Sequence, residues 1–191
     1  MAGELSGRRV AVLAADGVER VELEEPRRAL EDAGARTDVL SITTGEIQAR
    51  DHDLTDAGTF GVDRLVGAAS VEDYDALLLP GGTVNPDKLR MDADAVRFVG
   101  AFVRTGKPVA SICHGPWTLA EAGVVDGRRL TSWPSVRTDL RNAGAEVVDE
   151  EVVTDGNLTT SRSPEDLPAF CARIVQEFAR APQSTAAGGR S

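Results

Sequence analysis

The chain predicts an open α/β sheet with helices on both faces. Three observations carry that expectation. Short apolar runs alternate with segments of helical spacing along the chain, the pattern of a layered α/β fold. The runs at 9–15 and 75–79 are almost continuously apolar, as strands covered on both faces require. The residues with reactive side chains or paired glycines follow directly on such runs, at 16–19, 80–82 and 113, and in these folds ligands gather at the carboxyl ends of strands.

Taken in order, 9–15 is a strand and 16–20 a loop. Leu23, Leu30 and Ala33 are helically spaced and Gly34 is a stop. Pro26 predicts that this helix starts close to it or is kinked there. A second strand covers 35–42. The turn-rich stretch 44–65 reads as a small hairpin on one edge, and 75–79 is a buried strand running into Pro80-Gly81-Gly82. A helix at 92–105 puts Val96, Val99, Phe102 and Val103 on one face. A strand at 108–112 leads to Cys113 and a helix at 116–122. Further strands fall at 130–131, 145–148, 152–153 and 158–161, with a helix over 134–143. Ser163 as N-cap, Pro164 in the first turn and Glu165-Asp166 against the dipole open the last helix. This predicts a single domain over 1–181 and a small, polar, frayed tail at 182–191.

With 191 residues and a net charge of −10, the surface repels nucleic acid and anionic membranes alike. No apolar run approaches the ~20 residues that span a bilayer, and the polar segment 1–9 lacks the apolar core of a signal peptide. A cytoplasmic location is expected. The cysteines, Cys113 and Cys171, occupy different settings and suggest no disulfide framework. Two histidines without a ligand cluster predict no metal, and no cofactor is expected.

The chemistry centres on Lys107-Pro108-Val109-Ala110-Ser111-Ile112-Cys113-His114-Gly115-Pro116. An apolar run ends in a cysteine, and a glycine and a helix follow. That order places Cys113 on a sharp strand-to-helix turn, where amides and the helix dipole favour a thiolate; a buried, inert cysteine is the alternative. Gly115 permits close helix–strand packing. Cys171 shares a helical face with Leu167, Phe170, Ile174 and Phe178 and reads as core. His114 is a general base or counter-charge to the thiolate if it turns toward Cys113, and a solvent-facing histidine if it does not. His52, in a charged loop, reads as solvated. Glu19 shares the rim with Cys113 but is, by spacing, one acidic residue among 31. Gly81-Gly82 is either an amide nest for an oxyanion or a tight turn.

Together, Glu19-Arg20-Val21-Glu22-Leu23, Leu79-Pro80-Gly81-Gly82, the Cys113 segment, Asn142-Ala143-Gly144-Ala145 and 152–162 resemble the ThiJ/PfpI superfamily, most closely its PfpI-type intracellular protease branch, over about 8–180. The resemblance implies a flavodoxin-like sandwich, shared with class I glutamine amidotransferases, and a homodimer or larger assembly. It makes Cys113 the nucleophile, His114 its neighbour, and Glu19 the carboxyl that hydrogen-bonds the sulfur. In PfpI-type proteins a carboxylate after the Gly-Gly turn reaches a neighbouring subunit's histidine. Asp87 is the nearest match, in a loop one residue longer. No histidine follows His114, so the Cys…His-x-Glu layout of the amidotransferases is excluded within one chain. The implied activities are hydrolysis of small peptides, conversion of α-dicarbonyls such as methylglyoxal, and removal of glycation adducts, with Gly81, Gly82 and Gly115 near the substrate. The second reading is a stress-response redox sensor or chaperone in which Cys113 is oxidised.

Overall fold

The computed structural model describes residues 3–180; the predicted tail at 182–191 lies outside them. The chain enters strand β1 (Arg9–Leu13) and a two-residue strand β2 (Val18–Glu19), then helix α1 (Arg20–Asp32) and β3 (Arg36–Ser41). The hairpin expected at 44–65 is β4 (Glu46–Asp51) and β5 (Thr55–Gly61), followed by the short β6 (Arg64–Leu65). Next come β7 (Ala76–Leu79), α2 (Val84–Met91), α3 (Ala93–Arg104), β8 (Val109–Ile112) and α4 (Pro116–Glu121). The last part holds β9 (Arg129–Leu130), α5 (Arg137–Asn142), β10 (Glu146–Val147), β11 (Val152–Asp155), β12 (Leu158–Ser161) and α6 (Leu167–Arg180).

Among the described residues the main sheet runs β11-β12-β8-β7-β1-β3-β6. Its pairings are parallel except β11 with β12. Alternation along the strands divides the core. Val10, Val12, Ala76 and Leu78 pack toward Leu23 and Leu30 of α1 and Phe170, Ile174 and Phe178 of α6. Ala11, Leu13, Leu77 and Leu79 pack toward Leu89, Val99, Phe102, Leu119 and Leu140 on α2 to α5. Each such leucine or phenylalanine contributes about 1.5–3 kcal/mol by leaving water. A sheet covered on both faces needs strands apolar on both faces, which is why β1, β7 and β8 read as continuous runs. Because β1, β7 and β8 are parallel neighbours, their carboxyl ends meet at one rim. Among the described residues, no helix is long and apolar enough to cross a membrane.

Two local expectations need correction, and the structure adds one helix. Helix α1 does not start near Pro26 but at Arg20, and it runs through the proline. Burial of Leu23, Pro26 and Leu30 on one face holds it together although Pro26 offers no N–H. Helix α2, directly after the Gly-Gly turn, has a weakly amphipathic sequence and was not foreseen. Ser163 makes no side-chain cap; its carbonyl takes the Asp166 N–H instead, in a 3₁₀ turn at Pro164–Asp166. Gly34 is the stop expected of it, with a φ of 101° and its N–H on the Glu31 carbonyl at 2.9 Å.

Candidate active site at the Cys113 turn

Strand β8 ends at Ile112 and α4 begins at Pro116, so the chain reverses in three residues. Cys113 takes a φ of 62° to do so. That left-handed conformation costs a non-glycine residue about 1–3 kcal/mol and persists only where neighbours enforce it. Here the Cys113 N–H donates to the Ser161 carbonyl at 3.1 Å, and the Cys113 carbonyl accepts the Trp133 N–H at 3.0 Å. Gly115 closes the turn on the Ile112 carbonyl at 2.9 Å. A Cβ there would lie 2.6 Å from the Leu79 carbonyl oxygen, so only glycine lets α4 start this close to the sheet.

The carboxyl beside the sulfur belongs to Glu22, not to Glu19. Helix α1 carries Glu22 on the same buried face as Leu23, Pro26 and Leu30, and Glu22 is 0% exposed. Its Oε2 accepts the Gly81 N–H at 2.9 Å, while its Oε1 makes no hydrogen bond. Gly81 makes the approach possible, since a Cβ at Gly81 would fall 2.8 Å from the Cys113 Cβ and onto the Glu22 carboxyl.

Burial pushes Glu22 up to about 8, against the pull of the Cys113 thiol and the Gly81 and Gly82 amides. Burial also pushes the Cys113 thiol up, and the charge of Glu22 adds to it; the His114 and Gly82 amides pull the other way. Burial thus works against the thiolate that the helix end was expected to favour. Low dielectric opposes charge on either group, and closeness opposes charge on both. While Glu22 keeps its proton, the like charge that disfavours a thiolate is absent. The resting sulfur then needs a base.

His114 turns toward the sulfur, with Nδ1 3.2 Å from Cys113 Sγ. Its ring stacks on Trp133 at 5.8 Å between centroids and meets the edge of Trp117 at 5.5 Å. Burial lowers its pKa, with the charge of Asp53 opposing, so the imidazole is neutral and able to accept a proton. The adjacent-residue geometry that the sequence left open is thus closed by two aromatic walls.

Glu19 does different work at the same rim. Its carboxylate accepts the His52 N–H at 3.1 Å and the Asp53 N–H at 3.4 Å, holding the tip of the β4–β5 hairpin over the site. Asp53 in turn accepts the Thr83 N–H and hydroxyl, both at 2.7 Å. His52 and Asp53 are, with Cys113, the non-glycine residues of positive φ among the described residues. The half-open cavity beneath the hairpin tip, of about 280 Å³, is lined by Glu19, Glu22, His52, Asp53, Gly82, Cys113, His114, Trp133, Pro164 and Glu165.

Asp87 does not line this cavity. It projects from the exposed side of α2, because Asn85 and Pro86 take the buried side. The amides of Gly81 and Gly115 are committed to Glu22 and Ile112, so Gly82 is the member of the three that lines the cavity. Sequence reading passed over Asn85, whose side chain accepts the Ala15 N–H at 2.7 Å and donates to the Pro80 and Gly81 carbonyls at 3.0 and 2.9 Å. It also passed over Ser135, whose Oγ is 3.2 Å from His114 Nε2. For Glu22 the signal was present: an acid at i, i+4 and i+8 with Pro26 and Leu30, inside an apolar stripe.

A protein named deglycase from Pyrococcus abyssi is 42% identical over 168 residues, 88% of this chain and 98% of that one. General stress protein 18 of Bacillus subtilis is 41% identical over 165 residues, 86% of this chain and 94% of its own. Among solved structures, a two-domain protein of Anabaena variabilis, with DJ-1/ThiJ/PfpI-like and ferritin-like domains, superposes with a TM-score of 0.82 at 33% identity. That match covers 95% of this chain and 52% of the other, so this chain spans about half of it. DJ-1beta of Drosophila melanogaster gives a TM-score of 0.79 at 29% identity, over 92% of this chain and 90% of its own. The DJ-1/PfpI family pattern matches residues 8–177, and this chain belongs to that family.

Proposed function

We propose that the chain is a cysteine-dependent stress enzyme acting on small carbonyl compounds. The observation that carries the reading is one convergence: a strained Cys113 whose Sγ lies 3.2 Å from a neutral His114 Nδ1, against a buried Glu22, in a cavity of about 280 Å³. The thiol proton passes to Nδ1 as sulfur attacks the carbonyl carbon. The C=O π pair becomes an alkoxide, which takes the proton back from Nδ1 and leaves a hemithioacetal. With an α-dicarbonyl, a proton shift from the former aldehyde carbon gives a thioester, and water releases the hydroxy acid and restores the thiol. The Gly82 amide, beside the sulfur and lining the cavity, is assigned to the developing oxyanion. The deglycase name of a relative supports carbonyl chemistry of this type, and so does a cavity small enough to suit a dicarbonyl or adduct better than a folded protein. Small peptides fit the same attack. Asp87, exposed on α2, reaches a histidine only in a homodimer or higher oligomer.

The test is methylglyoxal consumption with lactate formation by the purified chain. The wild type is expected to turn over and Cys113→Ser to lose turnover entirely. Turnover by the serine variant at the wild-type rate sinks the proposal. A second reading, redox sensing, is favoured by the unpartnered Glu22 Oε1 beside Cys113. It could hydrogen-bond a sulfinate formed by two successive peroxide oxidations of the thiol, each releasing water. Mass spectrometry after mild peroxide decides it: Cys113 oxidises before Cys171, or the reading fails.

A further inference from the structure

We propose that Ser135 is a positioning residue that fixes the tautomer of His114, forming a Cys113–His114–Ser135 line within one chain. The inference rests on the carbonyl-attack reading for its purpose, but its geometry stands independently. The two contacts of the imidazole are opposed across the ring, Nδ1 to Cys113 Sγ at 3.2 Å and Nε2 to Ser135 Oγ at 3.2 Å. A neutral imidazole has one N–H and one lone pair. Only the tautomer with Nε2–H leaves a lone pair on Nδ1 to receive the thiol proton.

Several features favour that tautomer. Ser135 is exposed, so its own O–H can donate to water while Oγ accepts from Nε2–H. The sulfur meets the His114 and Gly82 amides and the Glu22 carboxyl, and that carboxyl, while it keeps its proton, is a donor to the sulfur and no acceptor for the thiol. The thiol proton is therefore directed to Nδ1. Once it transfers, the ring carries N–H on both nitrogens, and Ser135 Oγ still has a donor to accept. The charged ring thus loses no hydrogen bond on forming.

Ser135 can hold this post because its backbone is fixed. It sits in the 3₁₀ turn Pro134–Val136, between a proline of restricted φ and a fully buried valine. The Val136 N–H closes that turn on the Trp133 carbonyl at 3.2 Å, and Trp133 is the ring on which His114 stacks. One short segment therefore supplies both the stacking wall and the hydrogen-bond acceptor. Nothing in the family resemblance pointed to it.

The experiment is two-bond ¹⁵N NMR of the histidine rings, with only His52 and His114 to assign, alongside the pH profile of Cys113 alkylation by iodoacetamide. In the wild type and in Ser135→Thr, His114 is expected as the Nε2–H tautomer. In Ser135→Ala the tautomers mix, alkylation at neutral pH slows about three- to ten-fold, the effect of losing one ordinary, part-exposed hydrogen bond, and the acid limb of the profile moves to lower pH. An alanine variant with unchanged tautomer and unchanged profile overturns the proposal, as does a threonine variant that behaves like alanine. Neither readout involves a carbonyl substrate. A wild type that ignores methylglyoxal yet shows the expected tautomer pattern supports Ser135 and removes only the enzymatic reading.

Discussion

The floor and the roof of the cavity are built by opposite means. The floor, formed by Cys113, Glu22 and Gly81 at the ends of β8, α1 and β7, is almost entirely out of water. Its strained cysteine is held by the sheet and its carboxyl is kept neutral by burial. The roof, the β4–β5 tip, has a His52 side chain that is 92% exposed and a Leu54 that is 88% exposed. Its two strained residues are held by hydrogen bonds to one carboxylate, Glu19, and through Asp53 to Thr83. Two glutamates three positions apart on the chain thus serve as a proton holder and a clamp. A carboxyl's role here is decided by which side of a helix start it falls on.

The sharpest way to break the comparison is through pH. Glu22 has a pKa raised from an ordinary 4.5 to about 8. Its unfolded form therefore releases a proton at lower pH than its folded form. The sign follows: the contribution is fully present below about 4.5 and is lost as pH rises through about 8. Urea unfolding of the wild type at pH 5, 7 and 9 should show stability falling, by on the order of 4 kcal/mol from this group. Glu22→Gln should lose most of that fall over the same range. A wild type that gains stability on that climb would contradict a neutral floor.

Next in size is the glycine that lets floor residues meet. Gly81→Ala forces a methyl between the Cys113 Cβ and the Glu22 carboxyl. It should cost about 2–3 kcal/mol in denaturant unfolding and abolish Cys113-dependent turnover. An alanine variant of wild-type stability would mean that the floor is looser than its contacts require. The smallest effect belongs to the roof. Glu19→Ala should lower global stability by only about 1 kcal/mol, yet raise hydrogen exchange at the His52 and Asp53 amides about ten- to hundred-fold. Equal exchange in both proteins would show that the tip is held by something other than Glu19.

This contrast also marks where sequence reading succeeds. The strands of the rim were legible because a sheet covered on both faces demands continuous apolar runs, and β1, β7 and β8 supply them. The Cys113 turn was legible because glycine after a strand-end cysteine has a steric reason to be there. Glu19 was given the sulfur-side role by its place in the segment that carries the family resemblance, and a helix start expected near Pro26 gave no reason to turn Glu22 inward. With the start at Arg20, the period of Leu23, Pro26 and Leu30 turns Glu22 inward. Asn85, Ser135 and the clamp by Glu19 depend on contacts between segments 21 to 70 residues apart. No local pattern encodes such distances. The thiol's upward shift was hidden for the same reason, since the neighbours responsible lie on other elements.

Trp117 and Trp133 are the only tryptophans in the chain, and both rings lie against His114, one edge-on and one stacked. The protein's whole tryptophan emission therefore originates beside the His114 imidazole. Light absorbed at the red edge of the near ultraviolet excites nothing else, so the fluorescence of this chain reports on the surroundings of His114, with Arg90 and Asp139 also acting on Trp117.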